Sequence, residues 1–165
     1  MPKRLLIGYA TKAGSTKETA EAIAKTLRDR AFGVDVLPFA EAGDLGAYDG
    51  FVLGAPVIGM AWHRDASAFV RANAAALKAK PTAYFLLSLA YGVGREGIKK
   101  SIPAHLCPPS ALVKPVATAC FGGFMAQDPP LVIKLVFGIK KDSPRDSRNW
   151  DDVRAFAEEL AVKMA

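Results

Sequence analysis

Short apolar runs alternate with helical periods along this chain, and that alternation leaves few architectures open. Arg4–Ala10 (RLLIGYA), Val34–Pro38, Asp49–Gly54 (DGFVLG), Thr82–Leu89 (TAYFLLSL) and Lys114–Cys120 (KPVATAC) are too short for helices and too apolar for loops, so they predict five buried strands. Between them, Ser15–Arg30 carries Ala20, Ile23, Ala24 and Leu27 at helical spacing, with Gly33 expected to end it. Ala66–Leu77 repeats Phe69, Val70 and Leu77 in the same way. Asp151–Met164 closes the chain with Val153, Phe156, Ala157, Leu160 and Ala161 on one face, capped by Asn149 or Asp151. Strands separated by helices predict an α/β doubly wound parallel sheet with helices on both faces. Ligands of such sheets bind at the carboxyl ends of the strands, which directs attention to the loops after Ala10, Gly54 and Leu89.

A chain of 165 residues suits one domain, 1–165, with a core large enough to need no covalent staples. Two cysteines, Cys107 and Cys120, give no disulfide framework, and both read as small buried apolar side chains in a reducing compartment. Two histidines and no Cys/His cluster leave no basis for a metal site. The N-terminus, Met1-Pro2-Lys3-Arg4 and a short apolar run, is not a secretory signal, and no stretch approaches the ~20 apolar residues of a spanning helix. The expected location is cytoplasmic. The net charge is +6, and Tyr91–Trp150 holds nine basic residues against four acidic ones. That excess would attract anionic partners, although for charge alone a solvated, weakly basic surface is the better reading, and no feature points to nucleic acid.

The turn after the first apolar run carries the chemistry. Thr11-Lys12-Ala13-Gly14-Ser15-Thr16 places three hydroxyls and a glycine where a strand enters a helix. The helix start adds unpaired N–H groups and the positive end of the macrodipole. That geometry suits a phosphate monoester. The spacing G-x-x-x-x-G-K-[ST] is absent, which disfavours a nucleoside triphosphate. Gly92–Gly97 (GVGREG) satisfies G-x-G-x-x-G, but Pro103, Pro108 and Pro109 truncate the helix that a dinucleotide site needs.

Thr11–Thr16 resembles the phosphate loop of the flavodoxin-like proteins. The resemblance implies a five-stranded sheet of order 2-1-3-4-5 and FMN as cofactor. Thr11, Gly14, Ser15 and Thr16 would hold its phosphate, with backbone contacts from Lys12 and Ala13. It also places the two loops against the flavin ring. The first, Gly54–His63, would contribute Ala55, Pro56, Val57 and Trp62, with Trp62 as a flat face and His63 as a proton donor near the ring. The competing reading has Trp62 anchoring the loop and His63 starting a helix. The second would contribute Leu89, Ala90, Tyr91, Gly92 and Gly94, with Tyr91 stacking on the ring and the glycine N–H groups facing its carbonyls.

Three stretches resemble the menaquinone-dependent protoporphyrinogen oxidases, a flavodoxin-like group: Gly54–Val70 with His63 and Phe69, Leu131–Gly138 with Lys134, and the entry Asn149-Trp150-Asp151. That resemblance implies an FMN-binding oxidoreductase that passes electrons from a reduced small molecule such as protoporphyrinogen IX to a quinone, with His63 as catalytic residue. The alternative is an electron-carrier flavodoxin without its own substrate, against which the basic charge counts. The run Leu131–Gly138, followed by Lys140, Lys141, Arg145 and Arg148, fits either a peripheral membrane contact at the inner face of the cell membrane or a helix buried on the sheet. Pattern alone favours burial. A homo-oligomer is compatible with all of these readings.

Overall fold

The computed structural model describes residues 1–165. Its strands are β1 (Arg4–Tyr9), β2 (Gly33–Pro38), β3 (Gly50–Ile58), β4 (Ala61–Trp62), β5 (Thr82–Ser88) and β6 (Ala117–Gly122). Its helices are α1 (Ser15–Asp29), α2 (Arg64–Ala72), α3 (Ala74–Lys78), α4 (Leu89–Val93), α5 (Glu96–Ser101), α6 (Cys107–Leu112), α7 (Leu131–Phe137) and α8 (Trp150–Lys163). The parallel sheet runs β2-β1-β3-β5-β6, which is the expected 2-1-3-4-5 order once the two-residue β4 is set aside. No helix is long and apolar enough to cross a membrane.

Burial on both faces explains why the strands read as continuous apolar runs. Leu5, Ile7 and Tyr9 enter one core, against α1 and α8, while Leu6 between them enters the other, against α2 and the segment 102–113. The last helix is capped by Asn149, whose Oδ1 accepts from the backbone N–H groups of Asp151 and Asp152 at 3.0 and 3.2 Å.

Several boundaries differ from the sequence expectation for local reasons. The helical run predicted over Ala66–Leu77 is two helices broken at Asn73, whose side chain donates to the Phe69 carbonyl at 2.9 Å and competes with the backbone ladder. The fifth parallel strand starts at Ala117 rather than Lys114, because Pro115 has no N–H for a ladder. Neither cysteine is fully buried as expected: Cys107 is exposed on α6 and Cys120 is half-buried, where burial pushes its thiol up to about 11. Gly33 opens β2 instead of ending α1.

The helix stop is a Schellman motif with alanine in the left-handed position. Ala31 has φ 67°, its N–H donates to Arg28 O at 3.0 Å, and the Phe32 N–H donates to Leu27 O at 3.1 Å. A left-handed conformation costs a residue with a Cβ about 1–2 kcal/mol. Ala31→Gly relieves that strain, less the extra freedom glycine has in the unfolded chain. The net expectation is a gain of about 0.5–1 kcal/mol, read as a rise of about 1–4 °C in Tm by calorimetry. An unchanged or lower Tm would show that the motif carries no strain.

Candidate functional site

The carboxyl end of β1 leads directly into the anion-binding geometry foreseen from sequence. The Thr11 hydroxyl accepts from the Gly14 N–H at 2.8 Å and closes the turn. Gly14 then takes φ 85°, a left-handed conformation natural to glycine, and starts α1 with no side-chain cap. The first helical hydrogen bond runs from the Glu18 N–H to Gly14 O, so the N–H groups of Ser15, Thr16 and Lys17 have no backbone partner. Thr16 is fully buried and its Oγ1 has no hydrogen-bond partner. A buried hydroxyl without a partner costs about 1–3 kcal/mol. An anion seated on this turn satisfies the hydroxyl and the free N–H groups together, so the residues fit a phosphate monoester.

A cavity of about 320 Å³ adjoins the turn. Lys12, Ala13 and Ser15 form one side, and Pro56, Val57 and Leu89 face it from the two loops expected to flank a ring. Ile58, Leu87, Gly123 and Phe124 complete the lining. Apolar walls beside an anion site suit a flat, weakly polar ring attached to a phosphate. A larger cavity of about 700 Å³ lies across Thr11 between β2 and α2; it takes only Thr11 from the turn, whereas the smaller one takes Lys12, Ala13 and Ser15.

Pro56 and Val57 are positioned by a hairpin. β3 continues past the sheet to Ile58, turns at Gly59-Met60 and returns as β4, pairing Val57 with Trp62 and Ile58 with Ala61. Both tip residues have positive φ, 61° and 62°, the pattern of a type I′ turn. Ile58 and Met60 are thereby held exposed at the rim.

Other expected site residues lie elsewhere. Trp62 is buried, its indole N–H donates to Phe85 O at 3.3 Å, and it packs edge-on against Tyr84. It anchors the hairpin from below and offers no face to a ring. His63 begins α2, and its Nδ1 accepts from the Asp65 N–H at 3.1 Å. That nitrogen is committed to a helix cap, and His63 does not line the cavity beside the turn. Ala55 and Ala90 are buried in the core beneath the site.

Tyr91 also departs from its expected stacking role. It lies 5.4 Å from the Lys99 ammonium and shares a surface hollow with Cys120 and Asp152 on the β6 side; burial is the largest cause of its raised pKa. Gly92 and Gly94 are packing positions. A Cβ on Gly92 would meet Ser147 Oγ at 2.0 Å, and one on Gly94 would meet Ala90 O at 2.3 Å, while the Gly94 N–H donates to Ala90 O at 2.9 Å. The expected glycine-lined ring loop is instead the short helix α4, capped by the Ser88 hydroxyl.

Sequence reasoning did not reach Ile58, Leu87, Gly123 and Phe124 of the cavity lining, nor Arg148 beside it. Phe124 follows β6 and lines the cavity while 41% exposed. Its position at a carboxyl end of the sheet was the available signal. Arg148 was noted only as charge, yet its side chain is 4% exposed. The guanidinium donates to Ser15 O at 3.2 Å, to Glu18 at 3.1 Å and to both Asp146 oxygens at 2.9 and 2.8 Å. It also lies 5.6 Å from the Phe124 ring and 4.7 Å from Trp150. The Arg148 hydrogen bonds hold the Asp146 carboxyl below the usual carboxylate range. One side chain therefore ties the start of α1 to the Phe124 wall. Nothing in the sequence pattern joins positions 133 residues apart.

A doubly wound sheet with an anion turn after β1 and apolar loops flanking it defines a flavin-mononucleotide protein of the flavodoxin class. The sequence model of the flavodoxin-domain family matches residues 6–128, and the chain belongs to that family. FMN is the cofactor of this family, and the geometry of the turn and cavity fits it. Among curated proteins no significant relative is found. Solved structures agree on the fold. The short-chain flavodoxin associated with a non-canonical PDU bacterial microcompartment is similar over 100% of both chains, with TM-score 0.66 and 14% identity. The flavodoxin of Streptococcus pneumonia TIGR4 matches over 97% of this chain and 99% of its own, with TM-score 0.64 and 19% identity. Two-electron-reduced Megasphaera elsdenii flavodoxin matches over 96% and 98%, with TM-score 0.64 and 17% identity.

Proposed function

We propose that this protein is an FMN-dependent oxidoreductase that moves electrons from a reduced small molecule to an apolar acceptor of the quinone type. Protoporphyrinogen IX is the donor that the sequence resemblance suggests. Each turnover removes two electrons and two protons from the donor and adds two of each to a quinone; a porphyrinogen loses six of each on the way to porphyrin, so three turnovers convert three quinones to three hydroquinones and no further co-reactant is needed. FMN supplies the electron-accepting ring when bound. The chain's own residues bind and orient: Ser15, Thr16 and the α1 N–H groups hold the phosphate, while Val57, Ile58, Leu89 and Phe124 form the apolar walls. The observation carrying the reading is the buried, unpartnered Thr16 hydroxyl in a helix start whose neighbours Lys12, Ala13 and Ser15 line this cavity.

Exposed Ile58, Met60 and Phe124 at the rim favour an apolar acceptor. The reading of a carrier without its own substrate has separate support. Two of the flavodoxins named above are similar over 97% and 100% of this chain.

The purified protein should bind FMN at least about tenfold more tightly than riboflavin, measured by flavin fluorescence quenching. One charge-assisted hydrogen bond is worth that much. Equal affinities would remove the phosphate from this turn. FMN-loaded protein mixed anaerobically with protoporphyrinogen IX and a menaquinone analogue should then form porphyrin and hydroquinone. FMN binding without turnover would leave the carrier reading.

A further inference from the structure

The run Leu131–Phe137 is not buried on the sheet, as its pattern had favoured, and its polarity is turned inside out. Leu131, Val132, Leu135 and Val136 are 72%, 63%, 69% and 52% exposed. Lys134 instead has a side chain only 19% exposed and pairs with Asp128 at 2.8 Å. The helix is nevertheless fixed in place. The Arg95 N–H donates to Phe137 O at 2.9 Å, its guanidinium donates to the carbonyls of Leu135 and Val136, Gly138 closes the helix at φ 69°, and Ile139 is buried. Arg95 follows β5 and α4, and Phe124 follows β6. Helix α7 is therefore carried by the loops at the carboxyl end of the sheet, where the candidate site lies.

We propose that α7 is a docking helix for an anionic lipid bilayer. Its outward apolar face enters the interface and holds the site end of the protein against the membrane. Seven residues span about 10 Å, which suits a helix lying in the headgroup boundary and is far too short to cross it. Charge selects the occupant. Lys140, Lys141 and Arg145 follow α7 directly, all exposed and none in an ion pair, within a stretch of net charge +5. Anionic headgroups complement those cations. A second copy of this chain would bring the same cations face to face. The inference deepens the quinone reading, because a bilayer is where an apolar quinone resides, but vesicle binding needs neither flavin nor substrate.

The test is co-sedimentation with vesicles of phosphatidylcholine alone and of phosphatidylcholine mixed with phosphatidylglycerol. Binding to the anionic vesicles should be at least about tenfold stronger and should weaken with added salt. Lys140→Gln and Lys141→Gln should each weaken it about fivefold. Leu131→Ser combined with Leu135→Ser should abolish binding while leaving Tm and FMN affinity unchanged, because both side chains are already in water. Absent binding, or equal binding to the two vesicle types, would overturn the proposal and leave the FMN reading intact. Loss of Tm in the double-serine variant would overturn it by making the run structural. A concentration-dependent dimer dissolved by that variant would overturn it by assigning the face to a second copy.

Discussion

Gly54→Ala is expected to be far more damaging than a single added methyl normally is. The new Cβ would lie 1.9, 2.2 and 2.4 Å from three atoms of the Phe85 ring, which is fully buried and packs against Phe121 and Phe156. The ring cannot turn aside without displacing both aromatic neighbours, so the cost belongs at the upper end for overpacking, about 3 kcal/mol or more. In a chain of this size that lowers Tm by about 6–12 °C. Gly54 O also accepts from the Ala10 N–H at 3.1 Å, one residue before the anion turn, so FMN affinity should fall as well. Gly97→Ala, where a Cβ meets nothing within 4 Å, is the matching control and should leave Tm unchanged or slightly raised. Equal melting of the two variants in calorimetry would refute the close-packing account of Gly54.

Thr16→Val should move stability and cofactor affinity in opposite directions. In FMN-free protein the substitution deletes a buried hydroxyl that has no partner, so Tm should stay level or rise. With FMN bound, the hydroxyl is expected to donate to the charged phosphate, and the substitution removes that bond. That loss is worth about 1.5–3 kcal/mol, or about 10- to 150-fold in FMN affinity. Riboflavin affinity should not change. Titration of both flavins against wild type and variant, with melting curves of the apoproteins, separates this from a general packing defect. A variant that kept full FMN affinity would take Thr16 out of the phosphate site.

What could be read in advance was whatever depends on neighbours in the chain. The Thr11–Thr16 turn is local: a strand end, a glycine and a helix start are consecutive, so their joint geometry follows from their order. The main strands and helices follow for the same reason; Asn73 and Pro115 moved boundaries through one side chain or one missing N–H, while Gly33, the extension of β3 into the β4 hairpin and the short helix α4 depended on contacts that periodicity does not show. The ring loops were harder. Loop position alone makes Trp62 and Ala55 candidate cavity walls. Which way a residue near a strand end faces depends on register and pleat, and a hairpin at Gly59-Met60 set that here. Tyr91, Gly92 and Gly94 were drawn away from the ring by contacts with Lys99, Ser147 and Ala90, of which only Ala90 is near in sequence.

The sequence by itself determined the class of fold and marked the Thr11–Thr16 turn as the candidate phosphate site, because hydrophobic periodicity and turn chemistry are properties of adjacent residues. The tertiary structure alone decided which side of each loop meets the cavity, that Arg148 joins the start of α1 to Phe124, and that α7 stands outward on its apolar face. A run of apolar residues states only that it is costly to leave in water. Whether it is covered depends on what the rest of the chain brings to it, and around Leu131–Phe137 the chain brings Asp128 to Lys134 and the Arg95 guanidinium to the backbone carbonyls, leaving the leucines and valines facing out.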